Sequence, residues 1–212
     1  SDIDFVEVRI NDDSWYTAIG KNPWSITLPL IPGRNKIEAR AKDLAGKYSL
    51  IENFQVTLSI QVINIPQGWS YISSYLKPID LNMSNIWSDI LADNNLIVLM
   101  NQNGIYAPPP FSINTIGDWD YTSGYKVKLQ REDSLIIQGD SLFEKTMSFS
   151  SGSHFIPVLT NQNVDITEIF TSPENDILFI LDINANQIYW PSGQLYTLNE
   201  LVPGRGYLAR FI

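Results

Sequence analysis

Apolar and polar side chains alternate through much of this chain, and alternation is the signature of half-buried strands. Phe5-Val-Glu-Val-Arg-Ile10 opens the series, and Asn11-Asp-Asp-Ser14 follows as a turn of residues that bond their own backbone. Residues 14–19 predict a second strand and Trp24-Ser-Ile-Thr-Leu-Pro-Leu30 a third, with Pro29 marking a sheet edge or strand end. Pro32-Gly-Arg-Asn35 reads as a turn, Lys36-Ile-Glu-Ala-Arg-Ala41 as a strand with Ile37 inward, Asp43-Leu-Ala-Gly46 as a tight turn, and residues 49–60 as a long last strand. Residues 59–67 are strand-like without a Gly/Ser run, which predicts a stiff joint.

Beyond the joint the pattern occurs twice. Leu96-Ile-Val-Leu-Met100, Tyr106, Pro108, Trp119 and Gly124-Tyr125 have an ordered echo in Ile177-Leu-Phe-Ile-Leu181, Tyr189, Pro191, Leu201 and Gly206-Tyr207. The offset is 152 − 68 = 84 for Gly68/Gly152, 189 − 106 = 83 for the tyrosines and 206 − 124 = 82 for the glycines. A near-constant offset of this size implies a tandem, domain-sized duplication rather than a solenoid, whose period is about 20–50 residues. Asn82 and Asp165 sit where helix N-caps belong, Asp165 with Glu168 in capping-box spacing, so each copy is expected to hold one short helix. The unbroken run at residues 96–100 predicts a strand buried on both faces, and Asn101-Gln-Asn-Gly104 a hairpin. The expected fold is therefore mainly β: a β-sandwich over 1–60, then a duplicated β-rich (α+β) body, 61–140 and 141–212, packing as one pseudo-symmetric unit.

Composition narrows the function classes. Hydrophobic residues are 44% and charged residues 17% of the 212, a globular balance. No cysteine is present, which removes disulfides, zinc–thiolate sites and thiol nucleophiles. The net charge of −9 is uneven: residues 1–60 hold 8 acids and 7 bases, leaving 23 − 8 = 15 acids and 14 − 7 = 7 bases for the rest. An acidic body with no basic stripe argues against nucleic acid and anionic membranes. No apolar run approaches the roughly 20 residues of a membrane helix, so membrane insertion is not expected.

Two resemblances add to this. Trp24, Leu28-Pro-Leu30, Pro32-Gly-Arg-Asn-Lys-Ile37 and Ala39-Arg-Ala-Lys-Asp-Leu-Ala-Gly46 resemble bacterial Ig-like domains over most of residues 4–58. That likeness implies an Ig-like sandwich used as a spacer or adhesion module, here with five visible strands against the usual seven. Gly68-Trp69, Ile72-Ser73 and Leu201-Val-Pro-Gly-Arg-Gly-Tyr207 resemble an uncharacterised "GWN-x-I-S … G-x-G-Y" module of secreted and surface bacterial proteins. Ser70 departs from its Asn, and Ser153-His154 from its Trp-Asn. The resemblance implies export and an extracellular or cell-surface location, with the signal peptide lying outside this chain and Ser1 not its natural start.

Candidate chemistry is sparse. His154 is the sole histidine, no G-x-S-x-G elbow accompanies it, and its counterpart Ser70 suggests an ordinary surface slot. Asp118 and Asp120 flank Trp119 as a glycosidase pair would, but their counterparts are Glu200 and Val202, so the simpler reading is a solvated turn with Trp119 inward. Asn11-Asp-Asp13 and Asp182/Asn184/Asn186 offer oxygen ligands for calcium, yet neither forms an EF-hand loop. No metal, cofactor or catalytic residue is expected.

Six tryptophans and ten tyrosines remain to be placed. Pairing across the repeat puts Trp87 (with Phe170), Trp119 (with Leu201), Tyr106 and Tyr125 in the core. Trp69 corresponds to Ser153 and Trp190 to Ala107, so a shared core cannot require them. Trp190, Trp69 and then Tyr121 are the candidate ligand-binding residues, by stacking on sugar rings. The expected function is a non-catalytic spacer, adhesion or assembly module whose partners are other domains of a larger exported protein. The alternative is a carbohydrate-binding accessory module of a secreted enzyme, with polysaccharide as partner, and a cryptic hydrolase is the second alternative.

Overall fold

The computed structural model describes residues 2–142, 144–170 and 176–212. Among these the chain is mainly β with three short helices. It divides into two compact units, one ending at Ser59 and one spanning Ile60–Ile212.

The first unit contains β1 (Ile3–Ile10), β2 (Tyr16–Thr17), β3 (Ile19–Gly20), β4 (Trp24–Ser25), β5 (Gly33–Asp43) and the start of β6 (Glu52–Ile65). The order is β2-β1-β5-β6, with β3 and β4 as a separate ribbon. Val6, Val8 and Ile10 lie opposite Ala41, Ala39 and Ile37, which makes one face of β1 and β5 apolar. The strand expected over residues 24–30 stops at Ser25. Prolines 23, 29 and 32 cannot donate to a ladder, so the segment crosses without one while Ile26, Leu28 and Leu30 still pack on that core. The turn expected at residues 32–35 is shorter, because β5 already begins at Gly33, whose φ is +92°. The buried Asn35 amide holds the approach, accepting from Ile31 N (3.0 Å) and donating to Ile31 O (2.7 Å). The wet face is laced by charge and π contacts: Arg9 binds Glu38 at 2.7 Å, Arg40 binds Glu7 at 2.8 Å, and the Arg40 guanidinium lies against Trp15 and Tyr48.

The second unit is built on two five-stranded sheets. The first comprises β7 (Gly68–Ile72), β9 (Leu96–Met100), β10 (Ile105–Ala107), β11 (Ile113–Asn114) and β12 (Tyr125–Leu129), in the order β7-β12-β9-β10-β11. The second comprises β14 (Gly152–Ile156), β16 (Ile177–Asp182), β17 (Gln187–Trp190), β18 (Leu195–Tyr196) and β20 (Tyr207–Phe211), in the order β14-β20-β16-β17-β18. Register matches residue for residue: Ile72 opposes Tyr125 and Gly68 opposes Leu129, while Ile156 opposes Tyr207 and Gly152 opposes Phe211. Leu99 opposes Val127 as Ile180 opposes Ala209, and both ladders slip after one further pair, between Val98/Lys128 and Leu96/Leu129 and between Phe179/Arg210 and Ile177/Phe211. Beside the first sheet, β8 (Leu76–Pro78) pairs with β13 (Asp133–Ser141), which lies against the end of β6. A small ribbon joins β15 (Val164–Asp165) to β19 (Glu200–Leu201).

The helices are α1 (Met83–Ile86), α2 (Ser88–Ala92) and α3 (Ile166–Ile169). Asn82 caps α1 through bonds from Ser84 N and Asn85 N, and Asp165 caps α3 through Thr167 N. The bonds from Thr167 hold the Asp165 carboxyl below its usual range. One helix was expected in the first segment and two are present, because the chain kinks at Trp87, whose indole is fully buried. β9 is buried on one face only, with Ile97 exposed; an antiparallel sheet can leave one face to solvent.

The two sheets meet reciprocally. Tyr71 of the first packs against Phe155 of the second, its positional counterpart, with ring centroids 5.3 Å apart and the planes tilted by 40°. Gly124 N donates to Phe155 O at 3.0 Å, and a side-chain carbon on Gly124 would lie 2.8 Å from that oxygen. Its counterpart Gly206 faces Ile72 in the same manner, a side-chain carbon falling 2.6 Å from Ile72 O. Each glycine thus admits the opposite sheet's backbone where any other residue would hold it off. We expect Gly124→Ala and Gly206→Ala each to lower stability by about 1–3 kcal/mol, the usual cost of overpacking, seen as a lower denaturant midpoint at unchanged slope.

Candidate functional site

Alternation along β7 decides where its side chains go. Ser70 and Ile72 face the core beneath β12, whereas Trp69 and Tyr71 face the other way. Tyr71 is covered by Phe155, but Trp69, two residues earlier, emerges with 39% of its surface exposed. Lys126 and Lys128, its neighbours across the ladder, place their ammonium groups 4.4 and 5.4 Å from the indole centroid. Contacts of this kind contribute about 0.5–1 kcal/mol at exposed positions. They also make this sheet face locally cationic on an acidic body.

Trp190 ends β17 and is 40% exposed. Its ring rests on Gly193, where an added side-chain carbon would come within 2.6 Å of the indole. Its Nε1 donates to Ser192 Oγ at 2.9 Å. One face of the indole is therefore seated on a turn, and Gln194 N closes that turn on Pro191 O at 3.1 Å. Tyr196, half exposed on the paired strand, donates its hydroxyl to Pro191 O. Tyr121 is half-buried and packs against the first core, with Lys77 Nζ 5.8 Å from its centroid. The three aromatics sit on separate elements, and no described ring contact joins them.

The residues considered for catalysis have structural tasks. His154 lies on the inward side of β14, its Nε2 2.9 Å from Ser150 O and its ring against Phe149 and Phe211. The surface slot expected from its counterpart fails, since Ser70 is fully buried. Alternation puts both positions on the core side of their edge strands. Trp119 points inward and stacks on Tyr125 at 4.1 Å. The Asp120 carboxylate accepts from Thr122 N and Thr122 Oγ1, while Asp118 is exposed.

The Asp182 loop docks the sheets. The buried carboxylate of Asp182 accepts from Asn184 N and Ala185 N and pairs with Arg205 at 2.9 Å. Asn184 accepts from Tyr71 N and donates to Tyr71 O, both at 2.9 Å. Asn101 makes the matching turn in the first sheet, accepting from Asn103 N and Gly104 N. In the other calcium candidate, Asp13 accepts from Ser14 N and Asp12 pairs with Lys36.

Residues that the sequence reading passed over carry the seam. Ser73 Oγ donates to Arg205 O and accepts from Val158 N. Buried Gln61 accepts from Ser74 Oγ and Tyr75 N. Gln61 and Ser74 signalled themselves only as polar residues inside apolar runs, while Ser73 stands in the Ile72-Ser73 pair that carries the second resemblance. Tyr125 and Tyr207 hydroxyls both accept from the backbone five residues upstream, Asp120 N and Val202 N, at 2.7 Å. Burial pushes both phenols up, Tyr207 to about 12.

No protein-family model, curated protein or solved structure matches the chain.

Two outcomes follow from these contacts. Asn184→Asp, nearly isosteric, removes the donor to Tyr71 O. It should cost about 1–3 kcal/mol, as much as Asn184→Ala, in chemical denaturation; a calcium-dependent gain for the Asp variant would contradict the docking role. Tyr207 keeps its proton in the fold up to about pH 12 but ionises near its usual 10.0 when unfolded. The unfolded state therefore loses protons first, and stability falls as pH rises from about 10 to 12. Tyr207→Phe should flatten that decline in pH-dependent denaturation curves.

Proposed function

We propose that the chain is a non-catalytic module of an extracellular or cell-surface protein, serving as a spacer, adhesion or assembly unit. Its first unit would be an Ig-like domain and its second the product of a tandem duplication. The observation that carries this reading is where the chemically capable groups are spent. His154 binds a backbone carbonyl between phenylalanines, Asp120 caps a turn, and Asp182 with Asn184 docks one sheet on the other. The matching strand order and register of the two sheets support the duplication. The two resemblances support export and display.

Carbohydrate binding is the second reading, and Trp190 favours it. An indole seated on Gly193 and pinned through Ser192 presents its remaining face in a set orientation. Preorganisation lowers the ordering cost of binding. Trp69 suits it less, since Lys126 and Lys128 already cover its ring.

A panel of esterase and glycosidase substrates, run beside a glycan array, tests both. The module reading expects no turnover by the intact chain; turnover abolished in His154→Ala or Asp120→Asn would overturn it. Array binding that survives Trp69→Ala and drops at least tenfold in Trp190→Ala would move the assignment to the carbohydrate-binding reading.

A further inference from the structure

The two sheets share a frame but not a filling. In the first, Trp87 and Trp119 are both buried, with ring centroids 6.3 Å apart and Trp119 flat on Tyr125. The second places Phe170 and Leu201 at those positions. The local frame around them is the same. Trp119 N donates to Leu81 O, the residue before the Asn82 cap; Leu201 pairs with Val164, the residue before the Asp165 cap. Met83 and Ile166 follow the caps and are both buried.

Where the indoles are missing, a pocket of about 480 Å³ opens. Phe170 and Leu201 line it with Ile156, Val158, Val164 and Phe149. Its size falls in the range of small-ligand sites, roughly 300–1,000 Å³. Phe149 is held in place by stacking on Phe211 at 4.9 Å and 8°, so this wall is a fixed aromatic plane. Ile156 is fixed in the β14–β20 ladder, and Val164 and Leu201 face each other in the β15–β19 ribbon, so three of the walls are set by strand pairing.

We infer that this pocket is a binding site for a planar aromatic ring of about indole size. The first sheet shows the chemistry that completes this frame, two indoles against apolar walls. The second presents the same frame with smaller side chains and an opening to solvent. Aromatic edges and faces on Phe149 and Phe170 favour an aromatic guest over a saturated one of equal volume. The ring could belong to a free heterocycle or to a tryptophan of a peptide, and the experiment separates them. The inference is independent of the adhesion and glycan readings, which place contacts on the outer surface.

The test is titration of the intact chain with indole, followed by methyl NMR shifts of Ile156, Val158, Val164 and Leu201. Saturable shifts at these four residues are expected. Leu201→Trp, which returns the missing indole, should weaken indole binding at least tenfold and raise the melting temperature. If that variant does not fold, Phe170→Trp fills the pocket from its half-buried wall and should weaken binding in the same direction. Matching shifts with N-acetyl-tryptophanamide support a peptide side chain as guest, and shifts with indole alone support a free heterocycle. Absence of saturable shifts, unaltered binding in a folded filling variant, or equal binding of a saturated bicycle such as decalin would overturn the inference.

Discussion

The second unit depends on two close backbone approaches. Gly124 and Gly206 each let the other sheet's first strand come so near that a methyl group would strike a carbonyl. Neither glycine is needed for a left-handed turn; their φ angles are ordinary, and their value is the missing side chain. Because the approach is reciprocal, Tyr71 is brought onto Phe155 and the polar groups of Ser73, Arg205 and Asn184 come within bonding distance across the seam. An interface that meets itself in this manner has the geometry of an isologous dimer, here within one chain.

That seam also sorts the surface. Outward-facing residues near it, such as Tyr71, are covered, and the same face one pleat away stays open, as Trp69 does. Polar side chains at the seam are consumed in holding it. Asp182 would be costly to bury alone, but Arg205 and two backbone donors compensate it. Positions where the two sheets differ in residue type are then the places with freedom to do something else. Trp119 against Leu201 left a pocket, and Trp190 against Ala107 put an indole on a turn.

Much of the frame was legible from the chain. Period-two alternation located β1 and β5, and both helix caps were visible as Asn82 and Asp165. The misreadings have specific causes. Residues 26–30 have strand-like side chains, yet the missing proline donors kept them out of a ladder while hydrophobic burial proceeded. The apolar run of β9 reads as doubly buried, but apolar content does not say how many layers cover a sheet. Ser70 reads as a surface residue by type and is inside by register, because strand direction rather than polarity decides which face a side chain takes.

By itself the sequence determined the mainly β class, the periodicity, the caps and the equivalence of positions between the two echoing segments, all of which are local or one-dimensional properties. Only the tertiary structure decided which face of each edge strand meets the other sheet, since that depends on how closely two backbones can pass at a glycine. The same contact decided that Asn184 docks a strand. Such outcomes need partners 113 residues apart in the chain, as Tyr71 and Asn184 are, and no spacing rule within a segment encodes them.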